Sequence, residues 1–430
     1  MSTHNTMTNR ERLLKCFLEA LEAIQSQELG LLELRPRTKS VEEIVMGDYD
    51  FVIDRFDLPR ILRKFLNSAL NHGVHVEVTY STANKRIVTL IANRNRVTIE
   101  LWLNIELSSS SVNGRRLQYP GSQLLEIVKG NPQSELTFLA ALYLTHLHLK
   151  LKDLREPLQR RRIQEFGAGL KYSPLEGADQ LERMYDELTS SIMSGGEPNL
   201  LSANREVIAW LASKGLRSRK SGHSAVKTRL RRIRETDIMI PIVGPDGSGK
   251  SYLAARLVSE RPSSIRKFRY KRFFRNFEYG ILVRLLNLFF PRDHANQIDE
   301  KLAGYLILKS VALSMFYGPK IKGKKSALLV DRYGWDYLLK GIRQEGRSPK
   351  RIMMVNFLKA LIPQPRKCVV VAAKVETILC RKQELTAEKI EFIYGWYAKL
   401  AAEGRSRRFF FYNSEPGVDL SGSDVLDFVG

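Results

Sequence analysis

The chain has 430 residues, 43% of them hydrophobic and 27% charged, with a net charge of +23. That length exceeds one ordinary core and predicts more than one domain, and the apolar content excludes a disordered or collagen-like chain. The three cysteines, Cys16, Cys368 and Cys380, form no CxxC pair, which speaks against a disulfide framework or a structural zinc site.

The polar start, Met1-Ser2-Thr3-His4, lacks the apolar core of a signal peptide. With the scattered thiols it predicts a reducing, cytoplasmic setting. Apolar residues recur at helical spacing over 10–24, and 58–71 is a second predicted helix. Strands are predicted at 49–53, 74–80, 87–92 and 97–105, where residues alternate or run apolar. This α+β pattern ends in the polar loop 108–111. Helices follow at 123–127 and 134–149, with further helical segments to about 211. His146 and His148 are two apart on one helix and face different sides, a poor spacing for one metal site. The apolar runs 138–149 and 279–290 are shorter than the ~20 residues a membrane span needs, so no span is expected.

Residues 214–234 are rich in Lys and Arg interleaved with Gly and Ser, the composition of an exposed linker. From 237 the pattern changes to apolar strands alternating with helices: strands at 238–243, 326–330, 368–372 and 409–412, and a helix opening at 251. That alternation predicts a parallel sheet flanked by helices. The predicted divisions are 1–112, 113–213, 214–236 and 237–430.

Between the strand at 238–243 and its helix stands Gly244-Pro245-Asp246-Gly247-Ser248-Gly249-Lys250-Ser251, which fits G-x-x-x-x-G-K-[ST] in the required strand–loop–helix context. Glycine lets the backbone curl so that successive N–H groups point at phosphate oxygens, and the following helix adds its positive end. Lys250 is placed to reach β- and γ-phosphates, and the Ser251 hydroxyl to ligate Mg²⁺. Gly244, Gly247, Ser248, Gly249, Lys250, Ser251 and Tyr252 form the expected phosphate-binding set. Pro241 inside the strand predicts a bulge or pairing on one side only. Asp331-Arg332-Tyr333 ends the apolar strand 327–330, where doubly wound sheets build their sites. Arg381-Lys382 lies further on.

Together these residues resemble the thymidylate-kinase-like P-loop kinases, with a G-x-D-G-S-G-K-[ST] loop, a DR[YFH] motif after a central strand, and a mobile Arg/Lys lid. The likeness covers about 237–430. It implies an α/β P-loop fold, ATP and Mg²⁺ as cofactors, and catalytic roles for Lys250, Asp246, Asp331, Arg332 and Arg381. Ser251 and Asp331 would hold Mg²⁺, Arg332 an acceptor phosphate, and Arg381 the charge on the transferring group. The chain lacks the family's Arg-Glu-Pro-Gly stretch. In its place 266–275 is basic and aromatic, and Val369-Val370-Val371-Ala372-Ala373 lacks the usual aspartate. The acceptor therefore stays open, as a nucleotide-like, phosphorylated or glycan molecule. The loop variant also resembles that of relatives encoded beside surface-polysaccharide genes, which favours a sugar-linked acceptor.

In the N-terminal half, Asp48 and Asp50 sit at alternate strand positions and point the same way. With Glu100 they form a candidate metal set, because paired carboxylates suit hard cations. This resembles the nucleotidyltransferase superfold, although no Gly-Ser turn precedes Asp48 and the third acid is Glu. The basic charge keeps a second functional reading in view, a nucleic-acid-associated P-loop ATPase. The oligomeric state is left open, a dimer included.

Overall fold

The computed structural model describes residues 7–34, 48–107, 117–147, 166, 167, 170, 171, 173–194, 200–216, 219, 220, 235, 236, 239–262, 265–269, 327–331, 333–336, 339, 362, 364–418 and 423–430. The chain opens with α1 (Asn9–Gln25), started by a capping box. Glu11 N donates to Thr8 Oγ1 at 3.2 Å, and Thr8 N donates to Glu11 Oε2 at 2.7 Å. Leu13, Cys16, Phe17, Ala20 and Ile24 make its buried stripe. Next come β1 (Leu31–Glu33), β2 (Asp48–Ile53) and α2 (Leu58–His72). Helix α2 carries proline in its first turn and stops at Gly73, whose φ of 68° is the left-handed conformation that ends helices.

An antiparallel meander follows: β3 (His75–Thr82), β4 (Lys85–Ala92) and β5 (Asn95–Trp102). Then come β6 (Asn104–Leu107), β7 (Leu117–Pro120), α3 (Gly121–Gly130), α4 (Glu135–Leu147), α5 (Ala178–Met193) and α6 (Leu200–Ser213). Leu124, Phe138, Leu181, Trp210 and Leu211 give this part its own core. Within the basic segment, β8 (Arg219–Lys220) adds to β7, and β9 (Glu235–Thr236) follows. Residues 217, 218 and 221–234 of that segment lie outside the described residues, as does the basic aromatic stretch beyond residue 269.

The C-terminal part runs β10 (Met239–Val243), α7 (Lys250–Glu260), β11 (Ile265–Arg269), β12 (Ala327–Asp331), β13 (Gln364–Pro365) and β14 (Lys367–Ala372). It ends with α8 (Val375–Arg381), α9 (Ala387–Ala402), β15 (Arg408–Asn413) and α10 (Ser423–Val429). Strands β11, β12, β10, β14 and β15 lie side by side and parallel. Strand β10 stands centrally, with its two successors in sequence on one side and the last two on the other. That is a topological switch point, and its crevice opens at the carboxyl ends of the strands.

Both parts contribute to one ten-stranded mixed sheet, in the order β1-β2-β5-β4-β3-β15-β14-β10-β12-β11. The junction is β3 against β15, antiparallel, from Arg408 opposite Thr79 to Phe411 opposite Val76. Strand β15 can sit inside the sheet because it is apolar on both faces. Phe409 and Phe411 enter the core with α1, α2 and α9, while Phe410 and Tyr412 enter the core with α7 and α10. Side chains reinforce the junction. Arg408 grips Glu77 through Nε at 2.6 Å and a second nitrogen at 3.0 Å. The buried Arg86 donates through Nε at 3.0 Å and NH2 at 2.8 Å to Ala402 O, capping α9. Asp424 accepts from the backbone N–H of Asn93 and Arg94, both at 3.2 Å, in the β4–β5 turn.

Pro241 is explained by pairing. Strand β10 pairs with β12 from Met239 onward but with β14 only from Ile242, so the ladder on that side starts after the proline. Among the described residues no helix is long and apolar enough to cross a membrane.

Candidate functional site

All five residues of β10 are buried. The chain leaves it through Gly244 (φ 133°), Gly247 (φ 91°) and Gly249 (φ 91°), each in the left-handed region. Gly244 is needed twice over, because a Cβ there would collide with Val371 O. Gly247 lies under the middle of α8 and the residue after its end: an added Cβ would meet Ile378 and Lys382 at 3.2 Å. The loop thus packs directly against the segment read as the lid. Gly249 caps α7, and Leu253 N closes the first helical turn on Gly249 O at 3.0 Å.

Lys250 is 8% exposed. Its ammonium donates to Gly244 O at 2.9 Å, Pro245 O at 2.6 Å and Asp246 Oδ1 at 3.2 Å. The loop's own carbonyls and carboxylate therefore hold the charge at the mouth of the α7 N-terminus. Asp246 acts here on the lysine. The Ser248 hydroxyl is fully buried and has no hydrogen-bond partner, the one orphaned polar side chain of the loop. Ser251 and Tyr252 are exposed on the first turn of α7. The backbone of Asp331 pairs with Ile242 of β10, so it stands beside the strand that feeds the loop. The Asp331 side chain and all of Arg332 lie outside the described residues.

Two further groups organise this end of the sheet, and sequence reading missed both. Asp336 accepts from Tyr333 N at 2.8 Å and from the Tyr397 hydroxyl of α9, which pins the turn after Asp331. The other group is the turn Asn413-Ser414-Glu415 that leaves β15. Arg381 NH2 donates to Ser414 O at 2.9 Å, and NH1 reaches Ser414 Oγ at 3.4 Å. Ser414 Oγ donates to Ser248 O at 2.8 Å. Glu415 accepts from Lys374 N at 2.5 Å and from Thr377 Oγ1 at 2.8 Å, fixing the start of α8. A polar triplet directly after an apolar strand at the carboxyl edge was the available signal.

The N-terminal acids meet in part. In the parallel pair β2–β5, Asp50 lies opposite Glu100, and Asp48 is opposite Thr98. The Asp48 side chain lies outside the described residues. Asp50 is buried and accepts from Trp102 Nε1 at 3.2 Å, so Trp102 touches a candidate metal ligand. Burial pushes the Glu100 carboxyl above its ordinary pKa, and the hydrogen bond with Asp50 adds to the rise. Lys85, 2.8 Å from Glu100, opposes it. Lys85 also stands 4.6 Å from the Trp102 ring centroid. Among the described residues no three His, Cys, Asp or Glu side chains gather as a metal site. Five inter-strand steps separate β5 from β10, roughly 24 Å at about 4.8 Å each, so the acid pair and the loop cannot share one ion.

No protein-family model matches this sequence, and no curated protein matches it. A solved structure of thymidylate kinase from Candida albicans is similar over 45% of this chain and 91% of that chain, at 15% identity and a TM-score of 0.32. At that TM-score the likeness adds nothing to the reading of the site, which rests on the loop and its neighbours.

Proposed function

We propose that the protein is an ATP-dependent phosphotransferase that moves a γ-phosphoryl group to a nucleotide-like or sugar-linked acceptor. The observation that carries this reading is the loop: three left-handed glycines between a fully buried strand and a helix, with Lys250 at the helix mouth. The residues fit a nucleoside triphosphate. Gly244, Gly247, Ser248, Gly249, Lys250, Ser251 and Tyr252 would hold its phosphates, and the orphaned Ser248 hydroxyl offers a donor. The Ser251 hydroxyl and the Asp331 carboxylate are hard oxygen donors of the kind Mg²⁺ prefers. Mg²⁺, when bound, supplies neutralisation of the phosphate charge.

In the reaction an acceptor oxygen forms a bond to Pγ while the bond from Pγ to the β–γ bridging oxygen breaks. ADP leaves, and the acceptor proton passes to solvent or to a carboxylate of the site. Lys250 and Arg381 stabilise negative charge on the oxygens, and Arg332 holds the acceptor. Asp246 keeps Lys250 oriented. In the same reading residues 1–112 form a nucleotidyltransferase-like unit with Asp48, Asp50 and Glu100 as its metal set. Residues 113–213 would be a helical subdomain that also carries β7, 214–236 a basic linker in which β8 adds to β7, and 237–430 the kinase unit.

The test is incubation with γ-labelled ATP and a panel of nucleoside monophosphates, phosphosugars, glycans and oligonucleotides. Label on a small acceptor, independent of polynucleotide, is the expected outcome. Hydrolysis that DNA or RNA stimulates, weakening steeply with salt, would assign the chain to nucleic-acid-associated ATPases instead.

A further inference from the structure

We infer that Ser414 is a positioning residue for Arg381, and that the N-terminal half of the chain holds it in place. This rests on the phosphotransferase reading and extends it to residues no motif marks. The turn Asn413-Ser414-Glu415 touches four parts of the molecule. Ser414 Oγ donates to Ser248 O in the phosphate loop at 2.8 Å and to Ala372 O at the end of β14 at 3.2 Å. Its carbonyl accepts from Arg381 NH2 at 2.9 Å. Glu415 anchors Lys374 N and Thr377 at the other end of α8. Helix α8 is thus fixed at both ends by one turn, and Arg381 is bound by the same serine that braces the loop at Ser248 O.

The turn in its own turn is fastened to the N-terminal half. Asn413 is 1% exposed. Its backbone N–H donates to His75 Nδ1 at 3.0 Å, and its side-chain amide donates to Ala69 O at 3.0 Å and Val74 O at 3.4 Å. Asn413 Oδ1 accepts from Glu415 N at 3.0 Å, which sets the turn's shape. His75 lies against Tyr412, with ring centroids 4.9 Å apart and planes 14° apart. Among the described residues, the N–H groups of the asparagine therefore donate to the α2–β3 corner, at His75, Ala69 and Val74. The position of a charged side chain at the phosphate loop depends on a corner of the fold some 340 residues earlier in the chain.

The experiment uses the full chain with Mg²⁺ and two probes, ADP and an ATP analogue with an imido β–γ bridge, titrated by calorimetry. Ser414→Ala keeps the carbonyl that Arg381 NH2 binds but loses the hydroxyl that braces Ser248 O and meets Arg381 NH1; it is expected to weaken the analogue roughly tenfold and to leave ADP within about threefold. Ser414→Thr restores the hydroxyl and should recover most of the loss. Arg381→Ala should show the same selective loss, and the double variant should be no worse than Arg381→Ala alone. Asn413→Asp keeps the acceptor for Glu415 N and removes the donors to Ala69 and Val74, so it should reproduce the loss selective for the analogue. Ser414→Ala binding both probes as the parent does, or effects that add in the double variant, overturns the positioning role. Equal losses of ADP and analogue with a lowered unfolding temperature show a structural role only, and also overturn it. Failure of the parent protein to bind either probe overturns the phosphotransferase reading and this inference with it.

Discussion

The Gly244–Ser251 loop and the Asp50–Glu100 pair put charge into the same sheet by opposite means. Around Lys250 the work is done by backbone: left-handed glycines curl the chain, and the carbonyls of Gly244 and Pro245 hold the ammonium. Around Asp50 it is done by side chains from neighbouring strands, Trp102 on one acid and Lys85 on the other. A backbone solution needs particular residues at fixed local spacing, so it is written within eight consecutive positions. A side-chain solution is assembled across strands, and only the pairing register brings its members together. The first is therefore tolerant of little sequence change inside the loop, and the second spreads its requirements over three strands.

The strongest way to break this contrast is Lys250→Ala. Its affinity for the imido ATP analogue should fall by roughly a hundredfold or more, since a buried cation facing phosphates is worth at least two charge-assisted hydrogen bonds. Binding at the parent affinity would remove the loop from the function. Next is Arg408→Ala, which asks whether the two regions belong to one cooperative body. It leaves Glu77, 7% exposed, without its guanidinium. Arg408 is itself 35% exposed at the side chain, so a fully buried pair's cost does not apply. A loss of about 2 kcal/mol in denaturant unfolding is expected, still with a single transition. Two separated transitions would mean that β3 and β15 part independently.

Smaller effects sharpen the acid side. Lys85→Met removes the group that lowers the Glu100 pKa, so this carboxyl, already raised, should titrate higher still by carboxyl NMR. A raised folded-state pKa contributes stability below the ordinary carboxylate range and loses it as pH rises through the raised value. Stability of the variant should accordingly fall more steeply than the parent's on going from acid to neutral pH, by about 1 kcal/mol or less. The smallest effect expected is that of Asp50→Asn on nucleotide binding, because β2 stands six inter-strand steps from β10, roughly 29 Å at about 4.8 Å each. The amide can still accept from Trp102 and relieves a contact between two acids. Unchanged analogue affinity, with label transfer measured alongside, tells whether the N-terminal acids take part in chemistry.

These contrasts explain what was legible in the sequence. The strand at 238–243, the loop and the helix after it were readable because apolar run, glycine spacing and Lys-Ser ending coincide within a few residues. Strands β2 to β5 were readable from alternation, and α1 and α2 from helical periodicity. The junction of β3 with β15 was not, because two strands separated by more than three hundred residues carry no mutual signal in one sequence. Aromatic residues on both faces of β15 gave a hint: a strand apolar on both sides needs neighbours on both sides. Ser414 and Asp336 escaped because each acts through hydrogen bonds whose partners are fixed only by the sheet order.

The β3–β15 ladder also determines how this protein can be cut. A fragment beginning at residue 237 would retain every strand of the parallel half, yet it would turn β15 into a bare outer strand. That strand reads Arg408-Phe409-Phe410-Phe411-Tyr412-Asn413, four aromatic residues in a row with one charge at its start. Unpaired N–H and C=O groups on such a segment are a template for adding another copy of itself, so the isolated fragment should accumulate as insoluble aggregates. The N-terminal half is, in that sense, a built-in chaperone that never leaves: it occupies the sticky margin of its neighbour and keeps each molecule from recruiting the next.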